Sequence, residues 1–141
     1  MPTLMPEYLR PDGALLALRP HIAATVTPDD TPAARFAHGT LRPVLKLQND
    51  VLLRIVASFV RDHHIPLATA SATEQQRLLA ELLTRNTKLR YTIIGLVTGL
   101  FTLPEWETYH ANRPELNRRL LELATRRVQD QAGAVAVLIA E

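Results

Sequence analysis

The chain contains no cysteine. Disulfide cross-links, thiolate nucleophiles and cysteine-based zinc sites are therefore excluded together. Glycine is scarce, five in 141 residues, and no glycine-rich loop of the kind that cradles phosphates occurs. Neither a GxSxG elbow nor an HExxH pair is present, so no nucleophile stands beside a base in a known catalytic arrangement. A long apolar run is missing too. The longest, Ile93 to Leu103, is broken by Gly95, Thr98, Gly99 and Thr102, and a bilayer span needs roughly 20 apolar residues. The opening stretch MPTLMPEYLRPDG has no basic segment followed by an apolar one, so it does not read as a signal peptide. Charge excess is small: sixteen basic against fourteen acidic residues give +2, too little by itself to argue for nucleic acid. These absences lead to an expectation of one soluble, cytoplasmic domain without a cofactor. A chain of this length can bury roughly two thirds of its surface.

What is present is helical periodicity behind a proline-rich beginning. Six of the ten prolines fall in residues 1–40. Proline removes a helical hydrogen bond and clashes with the preceding turn, so this arm is expected to be extended or partly disordered, with a short turn at Ala14–Leu18. From Pro43 the apolar residues recur at helical spacing. A first helix is expected from Pro43 to His63 and a second from the capping box Ser71–Glu74 to Arg85. A third follows over Lys88–Phe101. The box Thr102–Glu105 opens a short fourth helix to Tyr109, and Asn112–Glu115 opens a fifth to Gln131, with Gly133 ending it. The organisation reads as an arm (1–40), a helical domain (41–131) and an apolar tail (132–141). AVAVLIAE in that tail is the one stretch with any strand-like alternation. The fold class is all-α: a small antiparallel bundle of about four to five helices.

A few residues break the apolar pattern, and they are the candidate functional positions. At 100° per residue, Gln48 falls in the middle of the stripe formed by Val44, Val51, Leu52, Ile55, Val56 and Phe59. Arg127 sits in the stripe of Leu116, Leu120, Leu123, Ala124 and Val128, with Gln131 beside it. An unpartnered buried amide costs about 1–3 kcal/mol, so these groups must find partners. Either they fix helix register, or Arg127 holds a small anion or polar metabolite that Gln48 orients. On the third helix Thr92, Gly95 and Gly99 share a face opposite the core side. Small residues four apart permit close approach of another backbone, from the same chain or from a second copy in a homodimer. Glu107 and His110 have the i, i+3 spacing of a dimetal half-site, but a single copy on a short helix does not make a metal site. Arg113, Arg118, Arg119 and Arg126 give the last helix a basic side, diluted for nucleic-acid binding by Glu115 and Glu122.

Three stretches, LRPVLKLQND (41–50), KLRYTIIGLVTGLFTLPEWETY (88–109) and ELNRRLLELATRRVQDQ (115–131), together resemble a group of small uncharacterised bacterial helical proteins. Proteins of that group sometimes carry the automatic label glyoxalase. The resemblance implies an all-helical fold and supplies no catalytic residues. Common glyoxalases share a βαβββ fold with His and Glu metal ligands, and this chain has neither the strand pattern nor the ligand set. The leading expectation is a non-enzymatic helical module that associates with itself or with another protein through the Thr92/Gly95/Gly99 face. A small-ligand binder or enzyme built on Gln48, Arg127 and Gln131 is the alternative, and a nucleic-acid binder is the third reading.

Overall fold

The structure, a computed structural model, describes residues 9–22 and 30–141. Every regular element among these is helical: α1 (Asp12–Ala17), α2 (Pro32–Phe36), a π-helical segment (Ala37–Leu41), α3 (Arg42–Leu47), α4 (Asn49–Asp62), α5 (Ala72–Arg85), α6 (Thr87–Thr98), α7 (Leu103–Ala111), α8 (Arg113–Asp130) and α9 (Ala132–Ala140). With α2, the π segment and α3 taken as one unbroken rod, the described residues form eight helices rather than four or five. The extra ones lie where helix was not expected. Part of the expected arm, 1–8 and 23–29, lies outside the described residues. Its remainder is largely helical. Pro32 stands at the first position of α2, where its missing N–H costs nothing, and Thr31 caps that helix by accepting from Ala34 N–H. The apolar tail is also helical. It becomes α9, packed against α4 and α5 with Val135 fully buried. Gly133 lies inside α9, and the break falls at Gln131.

The expected capping signals were realised unequally. Thr102 and Glu105 form the complete reciprocal box at the start of α7. Ser71 accepts from Glu74 N–H at 3.2 Å, while the Glu74 carboxylate turns to Arg77. Asn112 does not cap α8. Its backbone is not extended, and its amide donates back to the Thr108 carbonyl. Asn86, which the sequence reading passed over, caps α6 through Leu89 N–H at 2.9 Å. At the end of α4, Ile65 N–H reaches Val60 O and His64 N–H reaches Arg61 O. This is a Schellman ending with His64 in the left-handed region at φ 53°.

The core joins the segment 37–47 to α4, α5, α6, α8 and α9 through fully buried Leu41, Val44, Leu52, Val56, Leu79, Leu83, Ile93, Val97, Leu120, Val128 and Val135. Burial of each such side chain contributes about 1.5–3 kcal/mol. The expected single helix over 43–63 is interrupted at Gln48, which adopts φ −92° and ψ 9° between α3 and α4. This break moves the apolar stripe. Before it, Leu41, Val44 and Leu45 are buried; after it, Leu52, Leu53, Val56, Ala57 and Val60 are, and Val51 is 47 % exposed. On one continuous wheel the second set lies about 100° beyond the first, the turn of a single residue.

The C-terminal end of α6 gathers side chains from distant parts of the chain. The last carbonyls of a helix have no partner within it and form the negative end of its dipole. Gln48 Nε2 donates to Leu96 O at 3.1 Å. Arg10 donates to Gly99 O and Phe101 O, and Arg19 donates to Leu100 O. The α1 segment buries no residue of its own, so these polar contacts tie it down. Asp12 adds one more by accepting from Leu103 N–H. At the centre is a two-bond ion pair: Arg19 donates from both terminal nitrogens to the Glu105 oxygens, each at 2.6 Å. The side chains are 7 % and 16 % exposed. Glu105 also accepts from Thr102 N–H and from the Thr40 hydroxyl of the π segment. One carboxylate thus joins the arm, the π segment and α7. Phe36 and Tyr109 pack edge-on against Phe101 beneath it.

Candidate anion-binding groove

The two polar intrusions noticed in the sequence do not share a pocket. Gln48 is half-buried and turned to the end of α6, which makes its role structural. The neighbouring residue, Asn49, takes the place expected of it beside α8, in keeping with the one-residue shift of phase at the break. Asn49 and Gln131 exchange amide hydrogen bonds at 2.8 Å in each direction. Gln131 Nε2 also donates to Arg127 O at 3.0 Å, and Arg127 Nη1 lies 3.4 Å from Asn49 Oδ1. This amide pair fixes the last turn of α8 against the first turn of α4.

Beside it is a cavity of about 270 Å³ lined by Arg42, Leu45, Leu123, Arg126, Arg127, Asp130 and Gln131 itself. Arg42 comes from the first turn of α3, and the remaining charges come from the last two turns of α8. Arg126 and Arg127 are successive residues, about 100° apart on the helix. They therefore flank the cavity from two sides while Leu123 lies one turn below. None of the three arginines forms an ion pair among the described residues. Burial pushes the Arg127 pKa down, the like charge of Arg42 pushes it further the same way, and Asp130 opposes them. Positive charge is thus concentrated here beyond what one carboxylate offsets, in a partly desolvated place where Coulomb forces are less screened than at an open surface.

The other arginines of α8 behave differently. Arg118 is held by Glu115 and Glu122, and Arg119 by Glu115. Of the basic side named in the sequence, Arg118 and Arg119 are thus in ion pairs, Arg126 lines the groove, and Arg113 is exposed. Of the groove residues, Arg127 and Gln131 were legible as interruptions of an apolar stripe. Arg42 was missed because it sits where only a helix start was sought. Arg126 was noticed only as one of several surface charges.

The remaining candidate positions fall elsewhere. Thr92, Gly95 and Gly99 lie on an exposed face of α6, and a Cβ built on Gly95 would meet nothing within 4 Å. No helix among the described residues packs against Gly95. Tyr91, Leu103 and Trp106 are exposed at 68 %, 54 % and 41 %. Glu107 and His110 are exposed, and His110 stacks on Trp106 at 5.9 Å. No group of three potential metal ligands occurs among the described residues. His63 closes α4 through contacts to Phe59 O and Asn86. No described helix is long and apolar enough to cross a membrane. Comparisons of the chain with family models, with curated proteins and with solved structures found no match.

Proposed function

We propose that the protein is a helical binding module that holds a small anionic ligand between α3 and α8. The observation carrying this reading is the convergence of Arg42, Arg126 and Arg127 on one cavity with Asp130 as the only acid among the described residues lining it. A carboxylate or phosphate placed there accepts charge-assisted, two-pronged bonds from guanidinium groups, the pairing for which arginine is suited. It also relieves the repulsion between Arg42 and Arg127. Asn49 and Gln131 hold Arg127 from behind, and Leu45 and Leu123 supply an apolar floor. Asp130 is the one carboxylate among the described lining residues, and no Ser, Thr, His or Lys lines the cavity beside it, so the reading is of binding rather than turnover. The test is a thermal melt at low ionic strength with phosphate, in wild type and in the double variant Arg42→Gln/Arg127→Met. Ligand at ten times Kd stabilises by about 1.4 kcal/mol, a rise of roughly 4 °C for a chain of this size. An equal rise in the double variant would overturn the proposal.

A second reading keeps the interaction module first expected from the sequence, with a second copy of this chain as the partner. It is supported by the open face at Gly95 and the exposed Tyr91 beside it, which no element among the described residues covers. Sedimentation equilibrium of wild type against Gly95→Arg tests it. A monomer at high concentration removes the reading.

A further inference from the structure

The groove continues into a second cavity of about 130 Å³, lined by Ala37, His38, Arg119, Glu122, Leu123 and Arg126. Leu123 and Arg126 line both cavities, and Arg42 Nη1 lies 3.4 Å from His38 Nδ1, which joins a residue of each. The two are compartments of one site, with Arg126 between them. Their charges differ. In the first, three guanidinium groups meet the carboxylate of Asp130, an excess of two positive charges among the described lining residues. In the second, the charges other than Arg126 are already balanced: Arg119 donates from Nε to Glu115 at 2.9 Å, and Glu122 accepts from Arg118 at 2.7 Å. What the second compartment offers is single hydrogen-bonding groups. Arg119 keeps its terminal nitrogens as donors and Glu122 keeps Oε2 as an acceptor, without other hydrogen-bond partners among the described residues. Guanidinium only donates, so His38 Nδ1 accepts from Arg42 and the neutral ring carries its proton on Nε2, a further donor.

We infer that the ligand is the phosphate monoester of a small polyol. This rests on the anion-binding reading and gives it a chemical class. The phosphoryl group takes the first compartment. Its dianion matches the excess of two positive charges, and its three terminal oxygens match in number Arg42, Arg126 and Arg127. A carboxylate brings one charge and two oxygens. The carbon chain of the ester enters the second compartment. A second anionic group there would meet the Glu122 carboxylate. An alkyl chain would cover the free donors of Arg119 and His38 and the Glu122 oxygen without bonding to them, which is costly for polar groups. Hydroxyl groups both donate and accept, so they serve donors and acceptor alike while the carbons lie on Leu123 and Ala37. The compartment has the volume of about four waters at roughly 30 Å³ each, which limits the chain to about three carbons with their hydroxyls.

Isothermal titration at low ionic strength and pH 8 tests this, since phosphate monoesters are doubly charged above their second pKa of about 6. The probes are glycerol 3-phosphate, propyl phosphate, inorganic phosphate and acetate. Phosphate should bind more tightly than acetate. Propyl phosphate has the carbon chain and charge of glycerol 3-phosphate but no hydroxyl groups. Glycerol 3-phosphate should bind about tenfold tighter, at about threefold for the hydrogen bonds of each hydroxyl. Arg119→Met and His38→Leu should each lower that ratio about threefold, and thermal melts show which variants remain folded. Acetate binding as tightly as phosphate overturns the phosphoryl group. Equal affinity of the two esters for wild type, or a ratio that folded variants leave unchanged, overturns the polyol. Either result leaves the anion site standing. Failure of all four probes to bind wild type overturns both readings.

Discussion

Replacing Glu105 by glutamine should convert a pH-dependent part of the stability into a constant one. Burial by itself would push the Glu105 carboxyl up. The Arg19 hydrogen bonds, the Thr102 N–H, the Arg19 charge and the Thr40 hydroxyl outweigh that and lower it from 4.5 to about 2. At 1.36 kcal/mol per pH unit this corresponds to about 3 kcal/mol of stability. The group's folded pKa is depressed, so its contribution is complete above pH 4.5 and is lost as pH falls toward 2. Over that window the unfolded chain carries one proton more at this site than the folded chain. Glutamine keeps the shape and one acceptor but not the charge. Urea unfolding of wild type and Glu105→Gln at pH 7, 5, 4 and 3 is the assay. The stability gap should be largest at pH 7 and 5 and should narrow by about 2 kcal/mol by pH 3. The gap at neutral pH has a ceiling. Stranding a buried charge ordinarily costs about 3–5 kcal/mol, but Arg19 lies on a segment that buries nothing of its own in α1. It can leave for water with the arm, so the part of the loss that comes from stranding Arg19 cannot exceed the free energy of docking that arm. A gap that stays constant from pH 7 to pH 3 would refute the account of Glu105 as a charged hub.

Two further outcomes follow from backbone and packing. His64→Gly should stabilise the protein by about 1 kcal/mol in chemical denaturation, because a left-handed backbone costs an L-residue about that much and glycine nothing. No gain would mean that the His64 side chain compensates for its conformation. Gln48→Leu should destabilise by about 1 kcal/mol, the net worth of the bond it removes from Leu96 O. It should leave phosphate binding unchanged, since Gln48 does not line the groove.

The features legible in the sequence are those whose energies act within a turn or two of helix. Thr102 caps α7 and Glu105 closes the box three residues on, because both partners are neighbours whatever the rest of the chain does. Leu89, Ile93, Val97 and Phe101 mark a buried face because their spacing matches the helix period. The same local logic failed where packing outweighed it. Gly133 lowers helix propensity by about 1 kcal/mol relative to alanine, yet burial of Ala132 and Val135 carries α9 through it. Extending the phase of the first stripe past Gln48, as an unbroken helix would, places Val51 inside and leaves out Leu53 and Val60, which are buried.

What only the tertiary structure decided is which charges meet. Arg19 and Glu105 are 86 residues apart, and Arg127 reaches Asn49 across 78. Nothing in the local sequence of either partner names the other. The worth of such a pair depends on burial and direction, and both come from how the helices are stacked. So the chain's own letters determined an all-helical protein with defined helix starts and a few polar groups turned inward. The assembled fold determined that Gln48 serves the end of α6, that Glu105 fastens the arm, and that Arg42, Arg126 and Arg127 are left facing one cavity. Periodicity and capping act through neighbours along the chain, whereas electrostatic partnership acts through space.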